Sequence, residues 1–135
     1  MTRVLFVCIG NSCRSQMAEG FARVYGSDVI LPESAGLAPA MSVSRDTVRS
    51  MREKNIDLGD RYPKALGDVG SARFDLIVNM SGCDLPAMAA PLREWLIDDP
   101  IGQPIETYRV VRDQIEMLVM HLILELRRRE PAVRA

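Results

Sequence analysis

Long apolar runs are missing from this chain. The two longest, Val4 to Ile9 and Met117 to Leu124, fall well short of the roughly 20 residues a helix needs to cross a bilayer, and His121 interrupts the second. No membrane span is expected. Net charge is missing too, since 17 basic and 18 acidic residues leave −1, too weak a field for a nucleic-acid partner. Arg3 ahead of VLFVCIG imitates the start of a secretory signal, but no small-x-small cleavage site follows and Asn11, Ser12 and Arg14 arrive at once. A cytoplasmic location is expected. The three cysteines are few and odd in number, which argues against a disulfide framework and for reactive or buried thiols in a reducing compartment. A second histidine is absent, so His121 has no metal-ligand spacing to another and reads as a surface or packing residue. Neither a metal nor a bound cofactor is expected. No Gly-x-x-x-x-Gly-Lys loop is available for a phosphate role.

What is there fits one domain spanning residues 1–135, with 47% hydrophobic residues in a pattern that changes period repeatedly. Arg3 to Val7 is an apolar run too short for a helix, hence a strand buried on both faces. A helix follows, capped by Ser15, with Met17, Ala18, Phe21 and Ala22 at helical spacing until Gly26 stops it. Asp28 to Pro32 reads as a second strand and Glu33 to Gly36 as a loop. Ser44 caps a helix to about Lys54, and Asp57 to Ala72 is irregular surface chain with one short helical turn. Phe74 to Met80 is a third strand, Glu94 to Ile97 a short fourth, and Pro104 opens the longest helix, to about Arg129. Strands alternating with helices predict an α/β fold, a four-stranded parallel sheet flanked by helices on both faces.

In such a sheet ligands bind where a strand passes into its helix at the carboxyl edge. Cys8 to Ser15, CIGNSCRS, occupies that place. Gly10 permits a tight turn, and the successive amides of Ile9, Gly10, Asn11, Ser12, Cys13, Arg14 and Ser15 can converge on one tetrahedral oxyanion, assisted by the helix N-terminus. Arg14 adds a planar fork suited to two of its oxygens. Cys8 then lies beneath the anion, among groups that favour a thiolate, and becomes an activated nucleophile. The bland alternative is a small buried cysteine at a strand end. A third reading is a phosphate- or sulfate-binding module that holds an anion without chemistry.

CIGNSCRS resembles the cysteine-x5-arginine-serine loop of the low-molecular-weight protein tyrosine phosphatases, and CIGNSCRSQMAEGFA is closer still to the arsenate reductases of that fold. Glu33-Ser-Ala-Gly, Asn55-Ile-Asp-Leu, the strand FDLIVNM, Asp98-Asp99-Pro100 and the opening of the last helix, IETYRVVRDQI, extend the resemblance over nearly the whole chain. It implies the same four-stranded fold, Cys8 as nucleophile, Arg14 as oxyanion binder, Ser15 as the hydroxyl stabilising the thiolate, Asn11 as a shaper of the loop and Asp99 as general acid. Asp98 competes for the last role. A carboxylic acid there could protonate the oxygen leaving phosphorus or arsenic. Glu19 and Ser34 match positions that hold an alkali cation in some related reductases, though Glu19 equally suits a solvated or capping carboxylate.

The resemblance leaves two enzymes. Phosphatases of the family follow their Asp-Pro with aromatic residues that wall a tyrosine cleft, whereas Ile101, Gly102 and Gln103 follow here. Thioredoxin-coupled reductases carry two further cysteines near the third strand, whereas this chain has only Cys83, either a resolving thiol for Cys8 or an unremarkable loop thiol. Cys13 either protects Cys8 through a reversible disulfide or packs beneath the loop. The expectation is therefore reduction of arsenate to arsenite through Cys8, completed by an external thiol of thioredoxin or glutathione type. The alternative is hydrolysis of phosphotyrosine or another aryl phosphate through a phosphocysteine. Trp95 reads as packing at the sheet edge, and Arg127 to Arg129 as the basic end of a helix. Tyr108, Val111, Ile115, Leu118, Leu122 and Leu126 form the core face of the last helix. Val110, Met117, Met120 and Leu124 form a second stripe suited to a homodimer contact.

Overall fold

The computed structural model describes residues 1–69 and 73–129. Its four strands, β1 (Thr2–Cys8), β2 (Ile30–Gly36), β3 (Leu76–Asn79) and β4 (Leu92–Glu94), form one parallel sheet in the order β2-β1-β3-β4. Along β1, Val4 and Phe6 face one side while Leu5 and Val7 face the other, and all four are fully buried. That is why the run shows no alternation.

Four helices complete the fold: α1 (Arg14–Tyr25), α2 (Arg45–Arg52), the single turn α3 (Leu66–Val69) and α4 (Ile105–Arg129). Met17 and Phe21 of α1, Met51 of α2, and Ile115 and Leu122 of α4 pack with Val4, Phe6 and Val78 on one face of the sheet. Val69 of α3 covers the other face, with Leu66 and the segment carrying Leu85 and Met88 packed against Leu5, Val7 and Ile77. No helix of the described residues is long and apolar enough to cross a membrane.

β2 and β3 begin two residues later than expected, at Ile30 and Leu76, α2 ends at Arg52 rather than about Lys54, and three further differences have non-local reasons. Glu33 to Gly36 is strand rather than loop, because it pairs with β1 from Leu5↔Glu33 to Cys8↔Gly36. β4 lies toward the N-terminus of the expected Glu94 to Ile97. Trp95 donates to the Asn79 carbonyl at 2.9 Å, and its ring packs 5.9 Å from Phe6 as the chain turns off the sheet. Ser15 does not cap α1. The helix begins at Arg14 with Cys13 in the cap position and no side-chain cap, while Ser15 turns into the loop.

On α4, Tyr108, Val111, Ile115, Leu122 and Leu126 are buried as expected, but Leu118 is only half-buried and Val119 is fully covered in its place. Val110, Met117 and Leu124 remain 68, 61 and 45% exposed, whereas Met120 leans on the core. His121 is exposed, and Arg127 pairs with Asp28 at 2.9 Å.

Candidate active site

Between the end of β1 and the start of α1 the chain turns through Cys8 to Ser15, beside the place where strand order reverses between β2-β1 and β1-β3. Asn11 takes a left-handed conformation, φ 50°, which asparagine tolerates better than most residues. The loop's carbonyls are held from outside. The amides of Leu37, Ala38, Ala40 and Ser44 donate to the carbonyls of Cys8, Ile9, Gly10 and Ser12 at 3.1, 2.8, 2.9 and 3.0 Å. Each such bond is worth about 1 kcal/mol net, and together they fix which way the peptides face. Gly36 makes the close approach possible, since a Cβ there would stand 2.7 Å from the Ile9 carbonyl oxygen and 2.9 Å from the Asn11 nitrogen.

Cys8 is 2% exposed, with its Sγ 2.8 Å from Ser15 Oγ and accepting from the Asn11 amide at 3.2 Å. Asn11 Nδ2 donates to Ser15 Oγ at 2.7 Å, and Asn11 Oδ1 accepts from the Lys64 amide at 2.9 Å and from Gln16 Nε2 at 3.2 Å. The sulfur thus sits among donors. The first turn of α1 contains no acidic side chain and no side-chain cap, so its amides and positive end are left to an incoming anion.

Arg14 is 4% exposed and is anchored from behind. Its Nη1 donates to the carbonyls of Met80, just past β3, at 2.8 Å and of Ile97, past β4, at 3.2 Å. Nη2 lies 3.5 Å from Asp99 Oδ2, and the Ile101 amide donates to Asp99 Oδ1 at 3.1 Å. Of the adjacent acids, Asp99 rather than Asp98 meets the arginine. The structure therefore brings Cys8, Asn11, Arg14, Ser15 and Asp99 to one end of the sheet.

The other thiols stand in contrasting surroundings. Cys13 is buried, and that burial pushes its thiol up to about 12, with the Thr47 hydroxyl pulling the other way. It is a poor nucleophile at neutral pH. Cys83 is exposed in the segment after β3, its carbonyl accepting from Asn79 Nδ2 at 2.7 Å and its amide donating to Ser81 Oγ at 3.0 Å. Glu19 is neither solvated nor capping. It is 2% exposed and accepts from Ser34 Oγ, Arg23 and Arg61.

Sequence reasoning missed the buttress: Gly36, the amides after β2, the Lys64 amide, and the Met80 and Ile97 carbonyls. Only the Ser-Ala-Gly that ends β2 offered a signal, as small residues suited to close backbone approach.

Residues 3–132 match the model of the low molecular weight phosphotyrosine protein phosphatase family. The chain belongs to that family. It is 34% identical over 131 residues to a glutaredoxin arsenate reductase of Synechocystis sp., covering 93% of this chain and 99% of the relative. A putative arsenate reductase of Halobacterium salinarum is 35% identical over 132 residues, 92% of each chain. Among solved structures, an arsenate reductase in its phosphate binding state superposes with a TM-score of 0.84 at 32% identity, covering 93% of this chain and 99% of that one. The YwlE arginine phosphatase from Geobacillus stearothermophilus gives 0.77 at 25% identity, with 96% of each chain covered. These likenesses bear out the sheet topology and the resemblance read from CIGNSCRS.

Proposed function

We propose that this family member reduces arsenate to arsenite through Cys8. The observation that carries the reading is the Cys8 sulfur, held by the Asn11 amide and the Ser15 hydroxyl inside a loop whose carbonyls are tied outward, with Arg14 anchored beside it. The loop amides and Arg14 bind the oxyanion, and the Cys8 thiolate attacks the arsenic atom. An As–O bond breaks, and the departing hydroxide takes a proton from Asp99 to leave as water. A second thiolate then attacks the Cys8 sulfur. The S–S bond forms, the S–As bond breaks, and its electron pair stays on arsenic, which becomes arsenic(III). The two sulfurs are thereby oxidised, and an external thiol of thioredoxin or glutaredoxin–glutathione type reduces the disulfide.

Cys83 is assigned the second thiol. It is exposed, in the segment that follows β3, the strand beside β1, whereas the buried Cys13 thiol, pushed up to about 12, supplies little thiolate to attack. The arsenate reductase names of relatives at 34 and 35% identity, with Ile101, Gly102 and Gln103 rather than aromatic residues directly after Pro100, favour this branch. Phosphomonoester hydrolysis stands second, supported by the Arg14–Asp99 pairing and by the match of residues 3–132 to the phosphotyrosine protein phosphatase family. The reading includes a cytoplasmic location and a second copy of the chain on Val110, Met117 and Leu124 of α4, which sedimentation at high concentration tests. The deciding experiment measures arsenite formation with thioredoxin and with glutaredoxin plus glutathione, beside p-nitrophenyl phosphate hydrolysis. Arsenite formed at a rate above phosphate release is expected. Phosphate release without arsenite makes the phosphatase the function, and neither product makes the loop an anion cradle.

A further inference from the structure

The hydrogen bonds that reach Cys8 run in one direction, and that direction is set outside the loop. A backbone N–H can only donate, so the Asn11 atom facing the Lys64 amide at 2.9 Å is its carbonyl oxygen, which also accepts from Gln16 Nε2 at 3.2 Å. The Asn11 amide nitrogen must then face Ser15 Oγ, 2.7 Å away. Ser15 oxygen accepts there, which leaves its single proton for the Cys8 sulfur at 2.8 Å. Turning the Asn11 amide over would remove that donation.

Residues 61–64 form a strap without helix or strand, closed by the bridge between Ala65 and Gly36. Gln16 Nε2 holds the Tyr62 carbonyl at 3.2 Å, and the Gly36 amide holds the Lys64 carbonyl at 2.8 Å. The charged anchor of the strap is Arg61, whose guanidinium pairs with Glu19, a carboxylate 2% exposed and four residues beyond Ser15 on α1. Arg23 also pairs with Glu19, but it belongs to α1 and its side chain is 53% exposed. The remaining charged groups at that carboxylate end are Glu33 of β2 and Asp57, Asp60 and Lys64 from the connection after α2. At the sulfur end they are Arg14 of α1 and Asp99 from the segment after β4.

We infer that Arg61 is a positioning residue for Cys8: clamped on Glu19, it fixes the strap whose Lys64 amide orients Asn11 and, through Asn11, the Ser15 proton presented to the sulfur. The inference rests on the reading of Cys8 as nucleophile and concerns how that sulfur is prepared. It separates two arginines that a count of charges around Glu19 would treat alike.

The test is the rate of Cys8 alkylation by iodoacetamide as a function of pH, with the labelled cysteine assigned by peptide mass spectrometry. Arg61→Met keeps an aliphatic stem and deletes the guanidinium. It is expected to move the midpoint of the profile upward and to slow alkylation at pH 6 by about three- to tenfold, half to one pH unit of titration. Arg23→Met also deletes one guanidinium from Glu19 and is expected to leave midpoint and rate within about twofold of the wild type, because it does not touch the strap. An unmoved midpoint in Arg61→Met, or an equal shift in Arg23→Met, overturns the inference. Should Arg61→Met not fold by circular dichroism, Arg61→Lys is titrated instead. A smaller shift in the same direction supports the inference there, and no shift overturns it. Alkylation reads the thiol without turnover, so failure of the arsenate reading would leave this result standing. Retained turnover in Cys8→Ser would in turn sink the nucleophile while leaving the alkylation shift intact.

Discussion

Two cysteines follow neighbouring parallel strands, Cys8 at the end of β1 and Cys83 four residues beyond β3, yet their surroundings have little in common. Cys8 is buried, its sulfur held by a main-chain amide and a hydroxyl, and the loop around it is tied by amides from the connection between β2 and α2. Cys83 is exposed, and its main chain is held within its own turn by Asn79 and Ser81. The first thiol is sheltered and hydrogen-bonded, the second accessible. A nucleophile that must discriminate an oxyanion needs the first environment, and a sulfur that must meet an outside thiol needs the second.

The sharpest way to break this contrast is Cys8→Ser, which is expected to lower turnover of arsenate and aryl phosphate by at least about 10³-fold. Anion binding measured by calorimetry should survive, because the amides and Arg14 remain. Retention of wild-type turnover would remove Cys8 from the mechanism. Next in size, Asp99→Asn should slow aryl phosphate hydrolysis by about 10² to 10⁴-fold, least for the best leaving groups. A loss independent of leaving group would reduce Asp99 to a partner of Arg14.

Cys83→Ser acts on the other side of the comparison. Arsenate reduction is expected to fall by about tenfold or more while p-nitrophenyl phosphate hydrolysis stays within about twofold, since only the reductase needs a second sulfur. Equal behaviour of mutant and wild type in the reductase assay would deny Cys83 its role. Smallest in activity is Gly36→Ala, whose Cβ would crowd the Ile9 carbonyl and the Asn11 nitrogen. Thermal unfolding should report a loss of about 1–3 kcal/mol. An unchanged melting temperature would mean that the loop yields without cost.

The contrast between the cysteines was only half legible in the sequence. Cys8 and its loop could be read because the strand, the turn residues, Arg14 and the helix are contiguous, so local pattern and local chemistry coincide. The polar end of β2 could not, because Glu33 and Ser34 count as strand only through pairing with β1 and, for Ser34, a hydrogen bond to Glu19. The support of the loop was hidden for a related reason. Leu37, Ala38, Ala40 and Lys64 contribute backbone amides, which leave no mark on residue type. Ser15 was read both as a cap of α1 and, from the resemblance, as the hydroxyl beside the thiolate, and the fold keeps the second role alone, with Ser15 Oγ 2.8 Å from the sulfur seven residues earlier and no side-chain cap on the helix.

Competitive alkylation of the three cysteines in the wild-type protein near pH 7, followed by peptide mass spectrometry with and without arsenate, tests the central claim most directly. The account predicts that Cys8 reacts fastest and is protected by arsenate, that Cys83 reacts with or without the anion, and that Cys13, pushed up to about 12 by burial, stays unlabelled. Cys8 labelled no faster than Cys83, or labelled equally with arsenate present, would contradict it.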